Sequence, residues 1–188
     1  MSSNKVGFWC AHLFLLAYCA ILIAGFALQF IGHELPCPLC MLQRMAMILV
    51  MLGPAYIISR ARYGDVAMRD YTTGYGMSLI AAIAGMAMSS RQILLHVLPG
   101  DPGYGSPVMG LHPYTWALIT FLTVIVFVGV SLVFADELLP GVISFGWVSK
   151  WTLGLAVLLI AANLGMIFFL EGFHWILPDN PTRYELIA

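Results

Sequence analysis

The chain has 188 residues, of which 61% are hydrophobic and 9% are charged, and its mean hydropathy is +0.93. Ordinary soluble domains carry about 25% charged residues, so this composition excludes a water-soluble globular fold and indicates an integral membrane protein. The net charge of −1 argues against nucleic-acid binding or a polybasic lipid contact, because no cluster of cations is present to attract phosphate.

Five apolar stretches approach the length of about 20 residues that a helix needs to cross the hydrocarbon core. They cover residues 8–31, 41–59, 72–95, 115–134 and 151–170. Backbone polar groups in lipid must be satisfied within the protein, and the sequence lacks the alternation typical of a membrane barrel. We therefore predict an all-α integral membrane protein, with a bundle of four transmembrane helices and a fifth transmembrane helix after it.

The first stretch lies where a secretory signal would lie. Its apolar part is too long for a signal and no small-x-small cleavage site follows it, so we expect a retained anchor. It contains Cys10 and Cys19, which are nine residues apart, or about 13.5 Å along a helix and nearly on opposite faces. They are too far apart to form a disulfide, and we interpret them as buried thiols that act as small apolar side chains.

The short loop after the first stretch carries the sequence CPLC at positions 37–40, and Arg44 follows Cys40 by one helical turn. The spacing permits a disulfide between Cys37 and Cys40. Cys40 lies near the start of the second predicted helix, where the helix dipole and the cation of Arg44 both stabilise a thiolate. A dithiol in this position can pass electrons between a soluble thiol protein and a carrier dissolved in the bilayer.

A Cys-x-x-Cys motif alone is weak evidence for a redox site. A zinc site would need two more ligands at suitable spacing, and attachment of a c-type haem would need His where this chain has Met41. A purely structural disulfide remains an alternative.

The distribution of lysine and arginine predicts the orientation. Five of the eight cations precede the first or fifth stretch or lie between the second and third: Lys5, Arg60, Arg62, Arg69 and Lys150. We predict that this side is cytoplasmic, with the N-terminus inside and the loops that contain residues 37–40 and 97–114 outside. With five spans, the tail 171–188 is also outside.

The sequence divides into four parts on this basis. Residues 1–134 form the four-helix membrane domain, residues 135–150 a cytoplasmic segment, residues 151–171 the extra helix, and residues 172–188 the external tail. The second part mixes acids with Pro140, Gly141, Phe145 and Trp147, which suits a segment at the membrane interface; a plain loop is the alternative. If a dedicated partner docks on this chain, we expect the extra helix and the tail, with Phe173, His174 and Trp175, to be the parts adapted to it.

Four short motifs together resemble the disulfide bond formation protein B (DsbB) family. They are the Cys-x-x-Cys of the first external loop, Gln43-Arg44 after it, Arg91-Gln92 at the end of the third stretch, and Gly110-Leu111 before Trp116. The similarity covers roughly residues 8–134. Members of this family are bacterial inner-membrane proteins that reoxidise a periplasmic thioredoxin-fold thiol oxidase (DsbA-like) and pass the electrons to ubiquinone or menaquinone.

The resemblance implies a DsbB-like four-helix bundle and a quinone-dependent protein-thiol oxidoreductase in the bacterial inner membrane. It implies that Cys37 and Cys40 are the pair close to the quinone, that Cys40 faces the ring, and that Arg44 polarises a quinone oxygen. The residues suit this chemistry, because a Cys40 thiolate can give electrons to a quinone and Cys37 can then close the disulfide.

Further candidates for the quinone site lie near the second external loop. Arg91 and His96 are candidate donors to the quinone, although Arg91 would equally suit an interfacial anchor. His96 and His112 flank the loop, and either could move protons to the reduced quinone or be a solvated loop residue.

The sequence departs from the family at one point. The family carries a second cysteine pair in the second external loop, which exchanges disulfides with the soluble oxidase, whereas residues 96–114 contain no cysteine. The glycine and proline residues of 99–107 instead predict a compact, turn-rich cap.

Two hypotheses about function follow from this departure. In the first, the protein is a thiol oxidase in which Cys37 takes electrons directly from a partner thiol. In the second, it is a non-catalytic or specialised subunit that binds quinone, lipid or partner helices in a larger membrane complex. The sequence also leaves open that a neighbouring subunit supplies the missing pair in trans. Transport has little support, because the spans contain almost no ionisable residues near mid-membrane.

Overall fold

The computed structural model of the protein describes residues 3–140, 146–173 and 181–186. These residues form six helices: α1 (Ser3–Phe30), α2 (Pro38–Tyr63), α3 (Met68–Leu95), α4 (Pro113–Val133), α5 (Ala135–Leu138) and α6 (Gly146–Glu171). All except α5 are long and apolar enough to cross a membrane. The predicted all-α membrane fold with five spanning helices is confirmed. Gly141, Phe145, His174 and Trp175, which the sequence singled out, lie outside the described residues.

The long helices extend beyond the apolar stretches that predicted them, mostly at the end away from the cysteines. At this end α2 continues through Arg60 to Tyr63 and α3 begins at Met68. Polar contacts join the two ends, because Asp70 accepts a hydrogen bond from Tyr56 at 2.9 Å and forms an ion pair with Arg60 at 3.3 Å. Hydropathy detects only the part of a helix that lies in lipid, so it stops short of these polar turns.

The bundle is built around α2 and α3. α2 packs against α1, α3 and α6, and α3 packs between α2 and α4. Close approach depends on small residues, as expected where packing drives helix association in lipid. A Cβ atom on Gly53 of α2 would collide with Ser78 and the Gly74 carbonyl of α3, and one on Gly85 would collide with the Phe121 ring of α4.

α1 and α4 are not packed closely along their length. Nearer mid-membrane they touch, where the Tyr18 hydroxyl donates to the Thr120 carbonyl at 3.4 Å and the Phe14 and Phe127 rings meet edge to face at 5.3 Å. Toward the cysteine end they diverge. The space that this leaves is the cavity described below.

The extra helix α6 runs parallel to α1 on the outside of the bundle. At one end the His12 ring lies 3.0 Å from the Ser149 hydroxyl, and at the other Gln29 donates to the Tyr184 hydroxyl at 3.0 Å. Gly172, at φ +60°, ends α6 with a left-handed turn. The short helix α5 packs against α1, α3 and α4, within the part of the chain that the sequence predicted to be an interfacial segment or a loop.

Candidate functional site

Cys37 and Cys40 are joined by a disulfide at the start of α2. Cys37 is the N-cap residue, and its Sγ accepts a hydrogen bond from the Cys40 backbone N–H at 3.1 Å. Pro38 occupies the first helical turn, where its missing N–H costs nothing and its fixed φ suits a helix. The proline thus starts the helix directly after Cys37, which places both sulfurs at the positive end of the α2 dipole.

A pair of glutamine side chains from α2 and α3 holds the disulfide from one side. Gln92 Nε2 lies 3.3 Å from Cys37 Sγ and 3.5 Å from Cys40 Sγ, and it donates toward both sulfurs. Gln43 Nε2 donates to Gln92 Oε1 at 2.8 Å. The sulfurs of a disulfide carry no hydrogen and can only accept, so the NH2 group of Gln92 faces them and its oxygen accepts from Gln43. Both amides are buried.

Arg44 is held by neutral acceptors from α1. Its Nη1 donates to Gln29 Oε1 at 2.6 Å and its Nη2 donates to the Gly25 carbonyl at 2.9 Å, and the Phe26 ring lies 6.0 Å from the guanidinium carbon. Among the described residues, no carboxylate lies within ion-pair distance of Arg44. A guanidinium has five N–H donors, so this cation keeps both charge and donors for a further acceptor.

A cavity of about 400 Å³ brings Cys40 and Arg44 together. It occupies the space between the cysteine ends of α1 and α4, beside the start of α2, and residues of both loops line it. Its walls are mostly apolar, and the residues that line it include Leu22, Leu28, Met47, Trp116 and Ala117. Cys37, which is 5% exposed, and Gln92, which is 1% exposed, lie behind Cys40 and do not line the cavity.

The cavity has the size and the lining of a small-molecule site. Its volume lies within the range of about 300–1,000 Å³ typical of small-molecule sites, and an apolar wall with few polar groups is usual for such sites. Arg44, with N–H donors to spare, and Cys40 border the same space.

Residues 97–112 fold over the first loop as a compact cap, in agreement with the turn-rich cap predicted from its glycine and proline content. The Tyr104 hydroxyl donates to the Leu35 carbonyl at 2.7 Å, and the Ser106 N–H donates to Glu34 Oε1 at 2.9 Å. Burial, together with the nearby Glu34 carboxylate, raises the pKa of Tyr104. The phenol therefore remains a donor, and the two contacts hold the cap against the first loop, directly before the disulfide.

The two histidines that flank the second loop both stack against the ring of Tyr114. His96 and His112 lie with ring centroids 5.6 Å and 5.2 Å from Tyr114, which lines the cavity. Asp101 accepts hydrogen bonds from the Gly103 N–H at 2.8 Å and from His96 Nδ1 at 3.0 Å. These contacts, first Gly103 and then His96, lower the pKa of Asp101.

The structure separates the sequence candidates into two groups. Cys40 and Arg44 line the cavity, and Cys37 is bonded to Cys40. Arg91 is exposed and, like His96, is not among the residues that line the cavity. His96 is one ring removed from the cavity through Tyr114. Cys10 and Cys19 are free thiols away from the disulfide.

Two glutamines contact the site although the sequence did not predict them as site residues. Gln92 contacts both sulfurs, and Gln29 contacts Arg44. Gln92 was detectable from helical spacing. Ser78, Ala82, Gly85 and Ser89 follow each other by three or four residues along the buried face of α3, and continuing this spacing reaches Gln92 rather than Arg91.

Comparison with known proteins is consistent with this geometry. The sequence profile of the family described as DsbB, disulfide bond formation protein DsbB, matches residues 7–106. The disulfide bond formation protein B of Hahella chejuensis (strain KCTC 2396) is 31% identical over 99 residues, which cover 50% of this chain and 57% of that protein. The protein of the same name from Burkholderia pseudomallei (strain 1106a) is 28% identical over 145 residues, which cover 61% of this chain and 83% of that protein. The first alignment thus spans less than two thirds of the relative. No solved structure matches the chain significantly.

Proposed function

The chain belongs to the DsbB family of disulfide bond formation proteins, and we propose that it passes electrons from a periplasmic protein thiol through Cys37 and Cys40 to ubiquinone or menaquinone. Family membership and five helices able to span a membrane indicate a multi-pass membrane protein, and disulfide oxidoreductase activity is what we propose for it. The quinone, the thiol partner, the roles of individual residues, the inner-membrane location and the orientation are parts of the proposal.

One observation carries the proposal: Cys40 and Arg44 border the same apolar cavity. A redox-active sulfur and an unpaired cation are both needed where two electrons leave a dithiol for a hydrophobic carrier. A bound quinone supplies a two-electron, two-proton acceptor. In the cavity, Arg44 would hold one ring oxygen and favour the negative charge that this oxygen gains, because charge-assisted hydrogen bonds are strong away from water.

The proposed cycle has two balanced steps. In the first, two thiols of the partner protein are oxidised to a disulfide, and the Cys37–Cys40 disulfide is reduced to two thiols by thiol–disulfide exchange. In the second, the two thiols return to a disulfide, and their two electrons and two protons reduce the quinone to a quinol. Each turnover thus moves two electrons and two protons from the partner to the quinone.

The groups around the sulfurs would stabilise a thiolate when the cysteines are reduced. An anionic sulfur at the N-terminus of α2 is favoured by the helix dipole. The Cys40 N–H and Gln92 Nε2, which already face the Cys37 sulfur in the disulfide, would donate to this anion. We assign the cavity-facing sulfur of Cys40 to the quinone and the more deeply buried sulfur of Cys37 to exchange with the partner.

Exchange at Cys37 requires the cap to move. Cys37 is buried, and Tyr104 and Ser106 of the cap contact the first loop two and three residues before it, at Leu35 and Glu34. In the absence of a second cysteine pair in this loop, a DsbA-like partner would displace the cap and reach the disulfide directly.

The arrangement of cations supports a periplasmic position for the disulfide. Lys5, Arg60, Arg62, Arg69 and Lys150 lie at the ends of helices away from the cysteines. An excess of lysine and arginine marks the cytoplasmic side. The disulfide, the cap and the C-terminal tail would then face the oxidising compartment.

Trapping the thiols of Cys37 and Cys40 with a maleimide in isolated membranes tests the proposal. We expect the disulfide to reform after reduction when quinone is present, and to stay reduced when quinone is absent. A redox state that does not depend on quinone would favour the alternative of a non-catalytic subunit in a larger complex. Cys40→Ser should leave Cys37 in a mixed disulfide with its natural partner, which mass spectrometry can identify.

A further inference from the structure

We propose that Tyr184, in the C-terminal tail, is a positioning residue for Arg44 and thereby sets the affinity of the cavity for quinone. The inference rests on the proposed function and adds to it a part of the chain that lies beyond residue 106, where the family profile ends. It assigns a role in the site to α6 and its tail.

Three side chains connect the tail to the cavity. Tyr184 accepts a hydrogen bond from Gln29 Nε2 at 3.0 Å, and Gln29 Oε1 accepts one from Arg44 Nη1 at 2.6 Å. Arg44 lines the cavity, whereas Gln29 and Tyr184 do not. Gln29 is 3% exposed, so its amide is shielded from water that could replace either partner.

The direction of these hydrogen bonds follows from chemistry. A guanidinium has donors only, so Gln29 must turn its oxygen toward Arg44. The NH2 group of Gln29 then points the other way and needs an acceptor, because a buried donor without a partner is costly. The Tyr184 hydroxyl is this acceptor. If it is removed, the amide loses the contact that fixes its orientation, and Arg44 loses a rigid partner.

The tail is fixed well enough to carry out this role. After the turn at Gly172, the Glu185 N–H donates to the Leu170 carbonyl and the Leu186 N–H donates to the Phe169 carbonyl, each at 3.2 Å. These two amides satisfy carbonyls at the end of α6 that have no partner within the helix. Tyr184 immediately precedes this pair of contacts, so the end of α6 determines where its hydroxyl lies.

Kinetics of quinone-dependent reoxidation with a short-chain ubiquinone analogue test the inference. Tyr184→Phe keeps the ring and removes only the hydroxyl. We expect the KM for the analogue to rise about 2- to 10-fold, which corresponds to the loss of one neutral hydrogen bond, with little change in kcat. The matched control is Arg183→Gln, which breaks the exposed Arg183–Glu185 pair in the same tail and should leave the KM unchanged.

A double-mutant cycle separates positioning of Arg44 from a general structural effect of the tail. If Tyr184 acts through Arg44, adding Tyr184→Phe to Arg44→Ala should not raise the KM further, because coupled residues are not additive. An equal rise in both backgrounds, an equal rise in Arg183→Gln, or no rise in Tyr184→Phe would each overturn the inference.

A second measurement needs no quinone. Modification of Arg44 by phenylglyoxal, followed by mass spectrometry, should be several-fold faster in Tyr184→Phe than in the unsubstituted protein, and unchanged in Arg183→Gln. Equal rates in all three proteins would overturn the inference. Because this readout does not depend on turnover, it can support the role of Tyr184 even if quinone-dependent reoxidation fails and the proposed function is wrong.

Discussion

The side-chain amides of Gln43 and Gln92 are joined by a hydrogen bond of 2.8 Å, in which Gln43 donates to the oxygen of Gln92. Because the sulfurs of a disulfide can only accept, the NH2 group of Gln92 is turned toward the disulfide of Cys37 and Cys40. An amide held in this way is a donor whose direction is set before the sulfurs gain charge, so no reorganisation is needed when the disulfide is reduced.

Gln92→Leu should make the reduced cysteines less reactive, because it removes a donor that stabilises a thiolate. We expect the rate of alkylation of the reduced pair by iodoacetamide at pH 7 to fall about tenfold, as for the loss of a hydrogen bond to a charged group. Gln43→Leu should have a smaller effect, since Gln92 stays but is free to rotate. The control is Arg91→Leu, which changes the exposed neighbour; a fall as large in this variant would refute the role of Gln92.

Arg44→Ala should weaken quinone binding while the bundle still folds. The loss of a charge-assisted hydrogen bond predicts an increase in the Kd for quinone of about 10- to 100-fold. Arg44→Lys should lie between, because lysine keeps the charge but loses the planar fork that Gln29 and Gly25 hold. Titration of the detergent-purified protein with a quinone analogue measures this. Equal affinity in all three proteins would place the binding site elsewhere.

Tyr104→Phe should expose the disulfide, because it removes the hydroxyl that ties the cap to the Leu35 carbonyl. We expect reduction of the disulfide by a soluble dithiol to become about 3- to 10-fold faster, in line with the loss of one hydrogen bond. Tyr63→Phe is a suitable control, since Tyr63 is 82% exposed at the other end of the bundle. An unchanged rate in Tyr104→Phe would mean that the cap does not limit access.

The cap should also loosen at acid pH through Asp101. Contacts with Gly103 and His96 lower the pKa of this carboxyl, so its contribution to stability is complete above the unfolded-state pKa of about 4 and is lost as the pH falls through the lower folded-state pKa. We expect reduction by a phosphine to accelerate below about pH 4. Asp101→Asn is the control for the pH dependence of the phosphine itself and should lack this acceleration. Identical pH profiles in the unsubstituted protein and in Asp101→Asn would contradict the role of the Asp101 carboxylate in holding the cap.

Gly53→Ala should destabilise the bundle, because its Cβ would collide with Ser78 and with the Gly74 carbonyl across the α2–α3 contact. Overpacking of this kind costs about 1–3 kcal/mol. Gly76→Ala is the matched control on α3, where a Cβ meets open space and the higher helix propensity of alanine should be neutral or favourable by up to about 1 kcal/mol. Thermal unfolding in one detergent compares them, and equal midpoints would argue against close packing at Gly53.

Hydropathy and a short motif were sufficient to predict five spanning helices and the placement of Cys40 and Arg44 beside one another. The helices could be predicted because lipid requires every span to be apolar and to satisfy its own backbone hydrogen bonds. The placement of Cys40 beside Arg44 could be predicted because residues four apart share a helix face. Neither depends on tertiary packing.

The buried spacing along α3 points to Gln92 as a residue that faces the bundle, but the partners that Gln29 and Gln92 contact could not be predicted, because they depend on how the helices are rotated against one another. Adjacent residues of a helix point about 100° apart, so the rotation of α3 about its own axis decides whether Arg91 or Gln92 faces the sulfurs. The packing of small residues such as Gly74 and Ser78 against α2 sets this rotation. The contact between Gln29 and Tyr184 joins residues 155 positions apart, and no local pattern links them.

Because the tail is hydrogen-bonded to the end of α6, the length of α6 determines where the Tyr184 hydroxyl lies. One residue inserted into this helix would advance its end by about 1.5 Å and turn it by about 100°, which would carry the Tyr184 hydroxyl away from Gln29. Homologues with the same tail should therefore vary freely in the lipid-facing side chains of α6 and yet keep the number of residues between Ser149 and Gly172 constant.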